Sequence, residues 1–95
     1  MVNKHMTKIK KIEKVLKALA NHRRLEILNI LRNKKEDITV GEIAEGIKLS
    51  FKSTSRHLAV LSAAEIVTRD QINLHVYYKI SPDASLLVRQ VLSYL

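Results

Sequence analysis

The chain has 95 residues, 46% hydrophobic and 27% charged, with two glycines, one proline and no cysteine, the composition of one folded unit without long disordered linkers. The missing cysteine excludes disulfides, thiolate metal sites and cysteine nucleophiles, and nothing resembles a cleavable leader or an apolar run of about 18 residues, so a soluble cytoplasmic protein is expected. A formal charge of +8 points to a polyanionic partner, either nucleic acid or an anionic membrane surface.

Residues 1–35 hold eleven Lys and Arg against Glu13 and Glu26, a balance of +9, whereas residues 36–95 hold six against seven acids, a balance of −1. Between Thr7 and Ala20 the apolar Ile9, Ile12, Leu16 and Leu19 recur at helical spacing with Lys10, Lys14 and Lys17 opposite, which predicts an amphipathic helix. Basic amphipathic helices bind anionic lipid, but this one lacks the Trp or Phe that deepens insertion. The plainer reading packs the stripe within the domain or against a second copy. A chain this short removes only about 60 to 65% of its unfolded surface from water, so a contact between copies is expected to help. A second helix is predicted over His22 to Arg32, with Asn21 as N-cap, Leu25, Leu28 and Leu31 inward, and Ile27 and Ile30 widening the apolar arc into a core element. Asn33, Lys34 and Lys35 break the pattern.

Thr39 with Glu42 three residues on forms a capping box ahead of Ile43, Ala44 and Ile47. Gly46 to Leu49 reads as a turn, and Ser50 as the cap of the following helix, Phe51 to Ala64. On that helix Phe51, Thr54, Leu58 and Leu61 fall on one side and Lys52, Arg56, Ala59 and Ala63 on the other, with Ser53 and Ser55 flanking the basic side. A helix anchored by one face and basic on the other suits the major groove: Arg and Lys donate to guanine, Ser reaches bases or phosphates, and Ala admits a thymine methyl. Taken alone, Lys52 and Arg56 read equally well as ordinary solvated residues. Ile66 to Asp70 and His75 to Lys79 are β-prone runs around Gln71 to Leu74, a hairpin in the position of a wing. Ser81 and Pro82 are expected to open a last helix with Ala84, Leu87, Val88, Val91, Leu92 and Leu95 on a wide apolar arc.

The stretch Ala18-Leu19-Ala20-Asn21 through Arg24-Leu25-Glu26-Ile27-Leu28, then Ser55-Arg56-His57-Leu58 with Leu61, then Ile66-Val67 and Val76-Tyr77-Tyr78, resembles the ArsR family of winged-helix repressors over nearly the whole chain. The resemblance implies a homodimer built from the first and last helices, here Ile9, Ile12, Leu16, Leu87, Val91, Leu92 and Leu95, with the helix from Phe51 to Ala64 in the major groove. It also exposes departures. The family's Cys-x-Cys metal pair falls on Thr39 and Gly41, and its second metal site on a last helix that offers Asp83 and no histidine. His5, His22, His57 and His75 form no close ligand pair, so no metal and no cofactor are expected, and His57 reads as packed or phosphate-facing. Glu65 stands where the family has a glycine, in a position where a left-handed backbone would be strained. At the wing tip Ile72 and Leu74 flank Asn73 in place of basic residues, leaving Arg69 and Lys79 as the wing's charges.

The sequence therefore predicts a single domain over residues 1–95, mainly α with a small β-hairpin, a winged helix-turn-helix of order α-α-α-α-β-β-α that dimerises through its terminal helices and binds double-stranded DNA at an inverted repeat. Lys52, Ser53, Ser55 and Arg56 are expected in the groove, and Arg23, Arg24 and Arg69 at phosphates. No nucleophile–base pair, paired carboxylates or phosphate-cradling glycine loop supports an enzyme. The alternative is a winged-helix module that binds protein through the wing tip and terminal helices.

Overall fold

In a computed structural model that describes residues 4–34 and 36–95, with side chains from Thr7 onward, the chain forms α1 (Lys4–Leu19), α2 (His22–Asn33), β1 (Ile38–Thr39), α3 (Val40–Ile47), α4 (Phe51–Ala63), β2 (Val67–Ile72), β3 (His75–Ile80) and α5 (Leu86–Leu92). Lys35 and the side chain of His5 lie outside the described residues. The expected helix and hairpin order holds, with one addition. β1, only two residues long, pairs antiparallel with β3, Ile38 opposite Tyr78 and Thr39 opposite Tyr77, so the hairpin is part of a three-stranded sheet of order β1-β3-β2.

Local chemistry sets most boundaries. The Asn21 side chain accepts the Arg24 amide at 3.0 Å to start α2. At α3 the Thr39 hydroxyl accepts the Glu42 amide at 3.2 Å, and the Glu42 carboxylate accepts the Thr39 amide at 3.3 Å, completing the capping box. Ser50 accepts the Ser53 amide at 3.1 Å to start α4.

α3 runs through Gly46 to Ile47, so the turn is carried by Lys48, which takes the left-handed conformation (φ 54°, ψ 50°) while the Leu49 amide reaches back to the Ala44 carbonyl at 3.0 Å. A Cβ at Gly46 would come within 2.9 Å of Ile30 Cδ1 on α2, so the half-buried end of that side chain would have to shift to admit one. Glu65 ends α4 in the same left-handed way (φ 60°), with the Ile66 amide on the Leu61 carbonyl at 3.0 Å, so the strain expected of a non-glycine residue is present.

The last helix begins four residues later than Ser81 and Pro82 suggest. Pro82 sits second in a tight turn in which the Ala84 amide donates to the Ser81 carbonyl at 3.1 Å, and the Ser81 hydroxyl accepts the Asp83 amide at 3.2 Å. A fixed proline φ serves a turn as well as it serves a first helical residue. Here Ser81 is held by its own amide on the Ile66 carbonyl, which continues the sheet, and Ser85 caps the helix.

The core is built from every helix and the sheet, with Ile27, Leu28, Ile43, Leu58, Leu61, Ile66 and Val88 fully buried. Leu92, grouped above with the contacts between copies, belongs to this core and is 7% exposed. Leu87 and Val91 are half-buried, while Ile9, Ile12 and Leu16 on α1 and Leu86, Tyr94 and Leu95 at the C-terminal end lie open. Leu86 and Tyr94 are apolar exposures that the reading of the last helix left out.

Candidate nucleic-acid interface

α4 is fixed by a narrow seam. Thr54, Leu58 and Leu61, spaced at one helical turn, are completely buried, and the Thr54 hydroxyl is satisfied by donating to the Ser50 carbonyl at 2.8 Å. The helix packs on α1, α2, α3 and β2, so its orientation is set by four elements. The opposite surface carries Lys52, Arg56, Ala59 and Ala63, all exposed, with Ser53 and Ser55 half-buried at its margins. No acid occurs between Phe51 and Ala63, and among the described residues no salt bridge engages Lys52 or Arg56. Two unneutralised cations therefore project from a rigid rod between residues small enough to admit a close surface. Phe51, expected against the core, is instead 63% exposed beside this face.

Arg23 and Arg24, expected at phosphates, make contacts within the fold. Arg24 spreads its guanidinium over the end of α1, donating from Nε to the Ala18 carbonyl at 2.6 Å and from Nη2 to the Lys17 carbonyl at 3.2 Å, while Nη1 lies 3.3 Å from His57 Nδ1 on α4. A guanidinium has no acceptor, so His57 Nδ1 accepts and the imidazole is neutral with its proton on Nε2. Arg23 donates to the Ile47 carbonyl at the end of α3 at 2.9 Å and to Glu26 at 3.1 Å. Both arginines thus hold other elements in position: Arg24 ties the end of α1 to α4, and Arg23 ties α2 to the turn before α4. Their helical spacing from Asn21 marked only a helix start; contacts this distant in sequence leave no local signature.

Burial, with the Arg24 and Arg23 charges adding to it, lowers the His57 pKa below the ordinary 6.5. The unfolded chain therefore takes up this proton at a higher pH than the folded one, so stability is fully present above 6.5 and falls as pH drops from there toward the lower folded value. Thermal melts of the native protein should weaken across that interval more than those of His57→Gln. Identical pH profiles for the two would remove His57 from this coupling.

Arg69 and Lys79 are exposed on the hairpin, but on opposite faces, since Arg69 pairs with buried Tyr78 and Lys79 with Thr68. Thr39, at the family's metal-pair position, spends its side chain on the capping box. Among the described residues no group of three or more His, Asp or Glu is gathered, and no helix is long and apolar enough to cross a membrane.

The family model described as bacterial regulatory protein, arsR family, matches residues 21–69. The transcriptional repressor SdpR of Bacillus subtilis is 34% identical over 67 residues, 70% of this chain and 72% of its own length. The nodulation protein NolR of Rhizobium meliloti is 38% identical over 78 residues, 82% of this chain and 62% of its own, so this chain spans less than two thirds of NolR. The homodimeric winged helix-turn-helix DNA-binding domain of Mb0332 from Mycobacterium bovis superposes with a TM-score of 0.82 at 26% identity, covering 99% of this chain and 82% of that one.

Proposed function

The chain belongs to the ArsR family of bacterial regulatory proteins, and from that membership we propose that it binds operator DNA as a homodimer in the cytoplasm and represses transcription by occupying its site. The observation that carries the reading is α4: pinned by Thr54, Leu58 and Leu61, it presents Lys52 and Arg56 on an acid-free outer face. SdpR is named a repressor and the Mb0332 domain a homodimeric DNA-binding one, which supports the same act for this chain. Two-fold pairing sets two recognition helices about 34 Å apart, one turn of duplex, so the operator is an inverted repeat.

Lys52, Arg56, Ser53 and Ser55 read the groove, and Arg69 meets the backbone. Arg23 and Arg24 contribute by holding α4 at the angle that the groove requires. The charge excess of residues 1–35 steers the dimer toward the polyanion. The mode of action is binding, with no catalytic step and no bound metal or cofactor.

Duplexes selected from a random pool and titrated by gel shift over a salt series test this directly. Affinity should fall steeply with salt as phosphate counterions are released, and Arg56→Ala should weaken binding by about 1 to 3 kcal/mol with an unchanged thermal melt. Negligible binding at low salt would overturn the reading in favour of a protein partner.

A further inference from the structure

Leu74 is 94% exposed and Ile72 55% exposed at the free end of the β2–β3 arm, and neither belongs to the core. A single exposed leucine is unremarked in most folds, but these two stand at the apex of a stiff projection. Strand pairing continues in register from Val67 opposite Ile80 to Ile72 opposite His75, leaving Asn73 and Leu74 alone to make the turn. Asn73 supplies a φ of 57°, a conformation that asparagine tolerates in tight hairpins. On the face that Ile72 shares with His75, the rings of His75 and Tyr77, both on β3, meet edge-on with centroids 6.1 Å apart. The strand pairing therefore fixes the backbone that carries the apolar pair out to the tip.

The arm also carries Arg69 and Lys79, one on each face, against Asp70 as its one acid, a net charge of +1. The apolar surface a duplex offers is the stack of its bases, and proteins reach it from the minor groove with leucine or isoleucine wedges set beside Asn or Gln that read the groove edge. Leu74 and Ile72 with Asn73 and Gln71 supply both parts. Five strand steps at about 3.4 Å carry the tip roughly 17 Å from Val67, comparable to half of the ~34 Å helical repeat that separates a major groove from the minor groove beside it.

Resting on the reading of α4 as the groove helix, we propose that Leu74, backed by Ile72, is an apolar wedge that enters the minor groove flanking each half-site, unstacks one base step and bends the duplex. Pyrimidine–purine steps unstack at least cost, so bound sites carry a TA or CA step at a fixed distance outside each half-site.

The test uses duplexes selected from a random pool by the native protein, with 2-aminopurine placed in turn at each flanking position. Fluorescence should rise at one step per half-site, and Leu74→Ala should abolish the rise and weaken binding about tenfold. The salt dependence should stay unchanged because no phosphate contact is removed, and Leu74→Met should restore the signal. Leu74→Ala binding with native affinity, or no step brightening with the native protein, overturns the wedge while leaving the α4 reading in place. Association between dimers that disappears in Leu74→Ala, with DNA affinity unchanged, also overturns it, assigning the tip to a contact between copies. Failure to select any duplex is the distinct result that defeats the α4 reading, and the wedge falls with it.

Discussion

Replacing Leu92 with glutamate unfolds the chain. Leu92 is 7% exposed and shares one core cluster with Leu31 and Val88, so the new carboxylate must either stay in that packing or pull out of it toward the surface hollow that Leu92 lines with Arg32 and Arg89, losing its core contacts either way. Burying an unpaired charge costs several kcal/mol even after relaxation, and the lost leucine packing adds about 2 to 5 kcal/mol by analogy with large-to-small core changes. Against a total stability on the order of 5 to 15 kcal/mol, the combined loss is decisive. Circular dichroism should show a chain without a cooperative thermal transition at any protein concentration. A transition within a few degrees of the native one would mean that α5 does not pack on the core through this residue. The family resemblance placed Leu92 in the contact between copies, and a broad apolar arc on a terminal helix does not by itself say which part faces its own core.

That ambiguity marks where sequence reading stops. α4 was legible almost completely, since the spacing of Thr54, Leu58 and Leu61 and the hydroxyl of Ser50 are local signals, and the structure buries the first three and caps with the fourth. The Thr39–Glu42 box and the left-handed Glu65 were equally local. β1 was not legible: two residues give no periodicity, and Ile38 and Thr39 are strand only because Tyr78 and Tyr77 lie opposite. Nor was the role of Arg24 and Arg23. A surface arginine two or three residues into a helix looks available for phosphate, and only the fold brings Ala18, His57 and Ile47 within reach of the pair. Phe51 erred the other way, since the first residue of a helix can splay from a seam that its later residues obey. The groove role of Lys52, Ser53, Ser55 and Arg56 remains the proposal made above, supported by where α4 stands.

Replacing Ile12 with glutamate, in contrast to Leu92, should leave the fold intact and separate the two copies. Ile12 is 50% exposed on the single chain, between Ile9 at 65% and Leu16 at 47%, so within one copy the carboxylate stays hydrated and costs little. α1 and α5 run close enough that Lys14, Val15 and Val88 line one hollow, and Leu86 at 72% and Tyr94 at 88% are also open at the C-terminal end. In a two-fold contact over this surface, the patch meets its own symmetry mate. Two carboxylates would then enter the same desolvated seam, each without a partner, and separation into hydrated monomers becomes the lower state. Sedimentation velocity should report a native dimer and an Ile12→Glu monomer with unchanged circular dichroism. Affinity for a two-half-site duplex should drop by at least about a hundredfold, because the second α4 no longer arrives at the high effective concentration that linkage gives it. A native protein that sediments as a monomer, or an Ile12→Glu dimer that binds with native affinity, would move the seam elsewhere and break the link between α1 and operator symmetry.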